Sequence, residues 1–246
     1  MATMKRHPRS GTSPSWMVTI AVSSVLFAQT SAMAVPNLEG TWKLASPKNT
    51  LMPLQGGIPF TAQGRKAYAE NKRLQSKGDF DEYDITKSRC SSPGVPRLML
   101  TSGRFKIWQR FGVLTFDFEW NRALRQIDAS TLPPKPDFFG QALVPTMTGP
   151  SKGHWEGETL VAETTNLSDR ALIDDLVPHT FDVKITEHLR LIDADTLEDK
   201  ITIEDAGYFK HSWDAVLTFK RQPDALFSED VCLDRQDAHP SAVVLQ

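Results

Sequence analysis

Between residues 97 and 221 the chain is a succession of short runs in which apolar residues recur at every second position, separated by glycine-containing or polar breaks. Strands of that length and spacing specify an antiparallel sheet, sandwich or barrel. The runs span residues 97–101, 105–110, 113–120, 122–128, 155–165, 183–192, 196–204 and 212–221. A proline-rich stretch, 132–150, interrupts them, and connections of such length are usually functional or mobile. One helix is expected, over 61–77: Thr61 can cap it, Ala, Lys, Arg, Glu and Gln fill it, and Gly78 stops it. Its apolar face is thin (Ala67, Leu74), which places it on the periphery. Residues 79–89 read as a polar loop and 222–246 as a poorly ordered tail apart from its pin at Cys232. The fold expected is all-β, an antiparallel barrel with one peripheral helix.

The N-terminus reads as a targeting segment. Lys5, Arg6 and Arg9 precede an apolar run at 16–27, and Ala32-Met33-Ala34 fits a small-x-small cleavage site. The run is shorter than the roughly 20 residues a membrane span needs. A signal peptide over 1–34 and a single domain over 35–246 follow, with a periplasmic or secreted location. Three positive charges and no negative ones leave with the segment, so the formal charge falls from −2 to −5. That balance, with dispersed basic residues, argues against a nucleic-acid partner. Two cysteines remain, Cys90 and Cys232. In an oxidising compartment a disulfide between them is the natural reading, and two buried thiols the alternative.

Candidate site residues are found where the alternation breaks. In 183–191, Glu187 shares a face with Val183, Ile185, Leu189 and Leu191; in 155–165, Glu163 shares one with Val161. In 113–120, Trp120 sits with Leu114, Phe116 and Phe118, and Glu119 on the opposite face; Arg125 shares a face with Ala123 and Ile127. A carboxylate on an apolar face must be paired, hydrogen-bonded or protonated. Either Glu163 and Glu187 meet Arg125, Arg122 or Lys184 across neighbouring strands, or they line a cavity with pKa values raised for acid–base work. His154, before a strand, and His179, after Pro178, are placed to share one barrel mouth, with Asp169 as an orienter or a turn cap. The expected catalytic set is therefore His154, His179, Asp169, Glu163 and Glu187. Arg125, Glu119, Trp120, Trp155 and Trp213 are expected to contact the substrate. The sequence shows no phosphate-binding glycine loop, nucleophile elbow or metal-ligand spacing, so neither cofactor nor metal is expected.

Gly40-Thr41-Trp42 resembles the G-x-W start of lipocalin-like barrels, in which the tryptophan closes one end. Pro93-Gly94-Val95-Pro96-Arg97, the block from Gly153 to Val161 (GHWEGETLV), Pro178-His179 and the late Cys232 resemble a widespread group of exported bacterial proteins of unassigned function. Members of that group carry Asp where this chain has Glu158 and Glu163, and Arg where it has His188. The resemblance implies a lipocalin-like architecture and a periplasmic life. Together these readings lead to an enzyme that admits a small apolar or aromatic molecule and transforms it by cofactor-free acid–base chemistry, as an isomerase, lyase or hydrolase. A non-catalytic carrier and a structural envelope protein are the alternatives.

Overall fold

The computed structural model describes residues 1–3, 35–131 and 144–238. The apolar run at 16–27, the expected cleavage site and most of the proline-rich stretch lie outside them. Nine strands among these residues close a barrel in chain order: β1 (Gly40–Leu44), β2 (Arg104–Arg110), β3 (Val113–Phe118), β4 (Leu124–Asp128), β5 (Ser151–Glu156), β6 (Thr159–Thr164), β7 (Lys184–Asp193), β8 (Thr196–Glu204) and β9 (Trp213–Arg221). Neighbours pair antiparallel except β4 and β5, which run parallel through Ile127 with Ser151 and Asp128 with Lys152. That seam is the shortest in the barrel, whereas β7 and β8 pair over almost their whole length.

Tight turns at Phe111-Gly112, Gly157-Glu158 and Ala194-Asp195 lie at one end, beside the start of β1. The longer connections gather at the other, hereafter the loop end. At the turn end the Trp42 indole donates to Leu38 O (3.1 Å) and the Arg221 guanidinium lies 4.2 Å from its ring centre. The barrel interior is filled mainly by period-two apolar residues. Phe105 packs against Phe116, Phe118 and Phe219 with ring centres 5.0–5.7 Å apart, close enough for the aromatic quadrupoles to add to area burial.

Helix α1 (Ala62–Lys77) begins and ends where capping chemistry says it should. Thr61 accepts from Gly64 N, and Gly78 adopts a left-handed conformation. A Cβ on Gly64 would stand 2.2 Å from Tyr208 O, so only glycine allows α1 to seat on the β8–β9 connection. Residues 79–89 are not loop but two short helices, α2 (Phe80–Tyr83) and α3 (Ile85–Arg89). The run expected as a strand at 97–101 is a 3₁₀ turn, Arg97–Leu100, following the cis Val95–Pro96 bond. A four-residue apolar run does not distinguish strand from helix by periodicity. Nor is the C-terminal segment all tail: α4 (Cys232–Ala238) is pinned by the Cys90–Cys232 disulfide. Asn121 holds both cysteine backbones, its Oδ1 accepting from Cys232 N (2.7 Å) and its Nδ2 donating to Cys90 O (3.4 Å).

Candidate functional site

β4, β5, β6 and β7 point four polar side chains into the apolar interior. Arg125 donates from Nη1 to Glu187 Oε1 (2.8 Å) and from Nη2 to Glu187 Oε2. Nη2 also reaches Thr164 Oγ1 (3.2 Å) and Ser151 Oγ (3.5 Å), and those two hydroxyls are 2.6 Å apart. All four residues are buried. Arg125 thus reaches across the short β4–β5 seam to three successive strands, and its guanidinium also lies over the Phe116 ring at 5.6 Å.

The next inward group on β8 is Asp199, fully buried between Leu197 and Ile201 on the same face. Neither of its oxygens accepts a hydrogen bond from any described donor. Its neighbour is another acceptor, the Glu187 carboxylate, and only a proton held between the two makes that contact favourable. Burial, reinforced by the Glu187 charge and opposed by Arg125, lifts Asp199 well above the usual carboxylate range. The interior therefore brings one guanidinium and two carboxyl groups together, and burial favours the protonated form of Asp199. Arg125 Nε and Trp213 Nε1 are also buried donors without a partner among the described residues.

The sign of the resulting pH dependence is fixed. An unfolded aspartate loses its proton near pH 3.9, while the folded chain keeps the Asp199 proton to higher pH. Between those values the native state binds more protons, so this group makes stability fall as pH rises. His179 acts the other way: burial depresses its pKa, against the opposing influence of Thr180 O, Asp205 and Asp169, so stability falls as pH drops below about 6.5. Urea midpoints across pH for the wild type and D199N separate the two. The wild type should lose stability relative to D199N as pH rises, and parallel curves would show that Asp199 is not a proton carrier.

The structure rearranges the expected catalytic set. Glu187 is inside, as its alternation predicts. Glu163 is not: it is exposed on the outer face, 3.7 Å from Lys184. The run 155–165 is really a hairpin that turns at Gly157, and the inward face of β6 is Leu160, Ala162 and Thr164. His154 lies mid-strand in β5 rather than at a mouth, exposed and 3.0 Å from Glu156 Oε1. His179 is buried in the β6–β7 connection, its Nδ1 hydrogen-bonded to Thr180 O (2.8 Å) and its Nε2 without a partner among the described residues. Asp169 is exposed and makes no hydrogen bond to it. Of the expected substrate contacts, Arg125 and Trp213 face the interior, and Trp155 packs half-buried at the core's edge. Glu119 instead clamps Arg104 and the C-terminal segment, accepting from Arg104 N (2.8 Å), Arg104 Nε (2.9 Å) and Ser228 N (3.1 Å).

Trp120 lines something else, an open cleft of about 610 Å³ outside the barrel interior. Leu100 and Pro93 share its wall, and Arg97, Lys87, Asp175 and Arg235 bring charge to it. Arg97 is buried and fixed by both Asp84 oxygens (2.8 Å each) and by Asp175 (2.8 Å). The P-G-V-P-R turn thus forms part of a built wall.

No family model and no curated protein matches the chain. Its geometry must carry the functional reading unaided. Among the described residues, no group of three or more His, Cys, Asp or Glu is arranged to hold a metal ion. Asp199 is the residue that the sequence reading missed. The signal was present, since Leu197, Asp199, Ile201 and Ile203 break period two in the same way as Glu187 does in β7.

Proposed function

We propose that the protein is an exported barrel that admits a small, apolar or aromatic molecule from its loop end and acts on it by cofactor-free acid–base chemistry. Asp199 donates a proton, Glu187 accepts one, and Arg125 holds Glu187 in place. The observation that carries this reading is Asp199, fully buried beside Glu187, its oxygens accepting from no described donor and burial lifting it well above the usual carboxylate range. Acid and base held together in an apolar site suit proton transfer within one substrate, as in an isomerase or lyase. The disulfide and the expected signal peptide agree with a periplasmic or secreted setting.

Small aromatic ketones with exchangeable α-protons test it without knowledge of the substrate. In deuterated buffer the wild type should accelerate α-hydrogen exchange, followed by NMR, by about 10²–10⁴-fold. D199N should fall to the buffer rate with an unchanged circular dichroism spectrum. Exchange no faster than buffer across the panel would remove the catalytic reading. Carriage without turnover is the second reading, favoured by the 610 Å³ cleft, whose lining contains none of Arg125, Glu187 or Asp199.

A further inference from the structure

The outward residues of β9, β1 and β2 have a composition at odds with the chain's acidic balance. They include five cations, Lys220, Lys43, Arg104, Lys106 and Arg110, and one carboxylate, Asp214, itself paired with Lys200 (2.8 Å). Register makes the crowding explicit. Lys43 lies directly opposite Lys220 on one side and opposite Arg104 on the other, so three cations form an unbroken row across three strands. Like charges directly opposite in a sheet destabilise it.

Carboxylates from elsewhere relieve little of this. Glu119 holds Arg104 from a buried position beneath it, and Glu39 pairs with Arg110. Lys43 and Lys106 have no carboxylate partner among the described residues, and Lys220 has only the charge of Asp193 nearby, without a direct ion pair. Lys220 bonds to the Thr196 hydroxyl (2.5 Å), and Lys106 rests over the Phe227 ring (4.7 Å). Asp117, opposite Lys106, is engaged by Arg122 (2.7 Å). Exposed apolar side chains accompany the cations: Trp108, on the same face of β2, is 47% exposed, and Leu226, beside Phe227 in the chain, is 87% exposed.

We propose that this face docks the barrel onto an anionic lipid bilayer. The cations meet the headgroups, while Trp108 and Leu226 enter the interfacial layer, where an indole is well placed. A soluble polyanion would satisfy the lysines but would offer nothing to those two side chains. This surface is separate from the interior acid–base groups and from the Trp120 cleft, and the proposal does not rest on either.

Sedimentation of the full chain with vesicles tests it, comparing phosphatidylcholine alone with phosphatidylcholine containing phosphatidylglycerol. The apolar run at 16–27 is present in every variant, so differences between variants report the barrel face. K43Q/K220Q should weaken binding to the anionic vesicles about 25-fold, each lysine near such a surface contributing about fivefold. K43E/K220E should weaken it further. Binding to phosphatidylcholine alone should not change, and added salt should weaken the wild type. K43Q/K220Q should melt no lower than the wild type, because the row's repulsion is relieved. Equal sedimentation of wild type and K43Q/K220Q would overturn the proposal. So would binding to heparin without binding to vesicles, and so would a lowered melting temperature in K43Q/K220Q, which would mark the row as structural.

Discussion

Glu187→Ala is expected to destabilise the fold by about 3–5 kcal/mol, because it leaves the Arg125 guanidinium buried and uncompensated. In a domain of this size each kcal/mol moves the melting temperature by about 2–4 °C, so calorimetry should find a drop of about 6–20 °C. The loss should exceed that of a buried ion pair that merely fills space. Arg125 spans the seam where β4 and β5 share only two backbone pairings, and it ties β4 to Ser151, Thr164 and Glu187 on the next three strands. Arg125→Met with Glu187→Met provides the control. Removing both charges at similar volume is often neutral or stabilising in other proteins. If the double variant is as unstable as Glu187→Ala, the side-chain tether across the seam matters more than the charge balance.

Breaking the disulfide is the second large effect expected. Cys90 and Cys232 are 142 residues apart, and chain-entropy models assign a crosslink over so long a loop about 4–5 kcal/mol. Cys90→Ser with Cys232→Ser should therefore melt about 8–20 °C lower than the oxidised wild type. Reductant should shift the wild type similarly and leave the double variant unmoved. A variant that melts with the wild type would mean that the Asn121 bonds to both cysteine backbones suffice to hold α4.

What the sequence revealed and what it hid divide on one physical point, which is strand parity. The inward side of β7 was legible because Val183, Ile185, Leu189 and Leu191 outvote Glu187, and the same rule placed Arg125 inside with Ile127. Parity failed in 155–165 because the turn at Gly157 resets the count, and Val161, taken as an inward marker, packs on the outside. His154 was displaced for a related reason. The residues of β5 lack apolar alternation, so nothing in the sequence marks the strand that carries the histidine. The Arg97–Asp84–Asp175 cluster was beyond reach, since it joins α3's cap, the 3₁₀ turn and the β6–β7 connection, which only the closed fold brings together.

The position of the crosslink has one more consequence. The covalent ring from Cys90 to Cys232 encloses β2 through β9, and β1, the strand that completes the circle between β2 and β9, lies outside it. Gly40–Leu44 is thus the one strand of the circle that the crosslink does not enclose. Closure of the circle accordingly rests on that strand's backbone pairing with β2 and β9 and on the Arg221 side chain stacked on Trp42, not on sulfur chemistry.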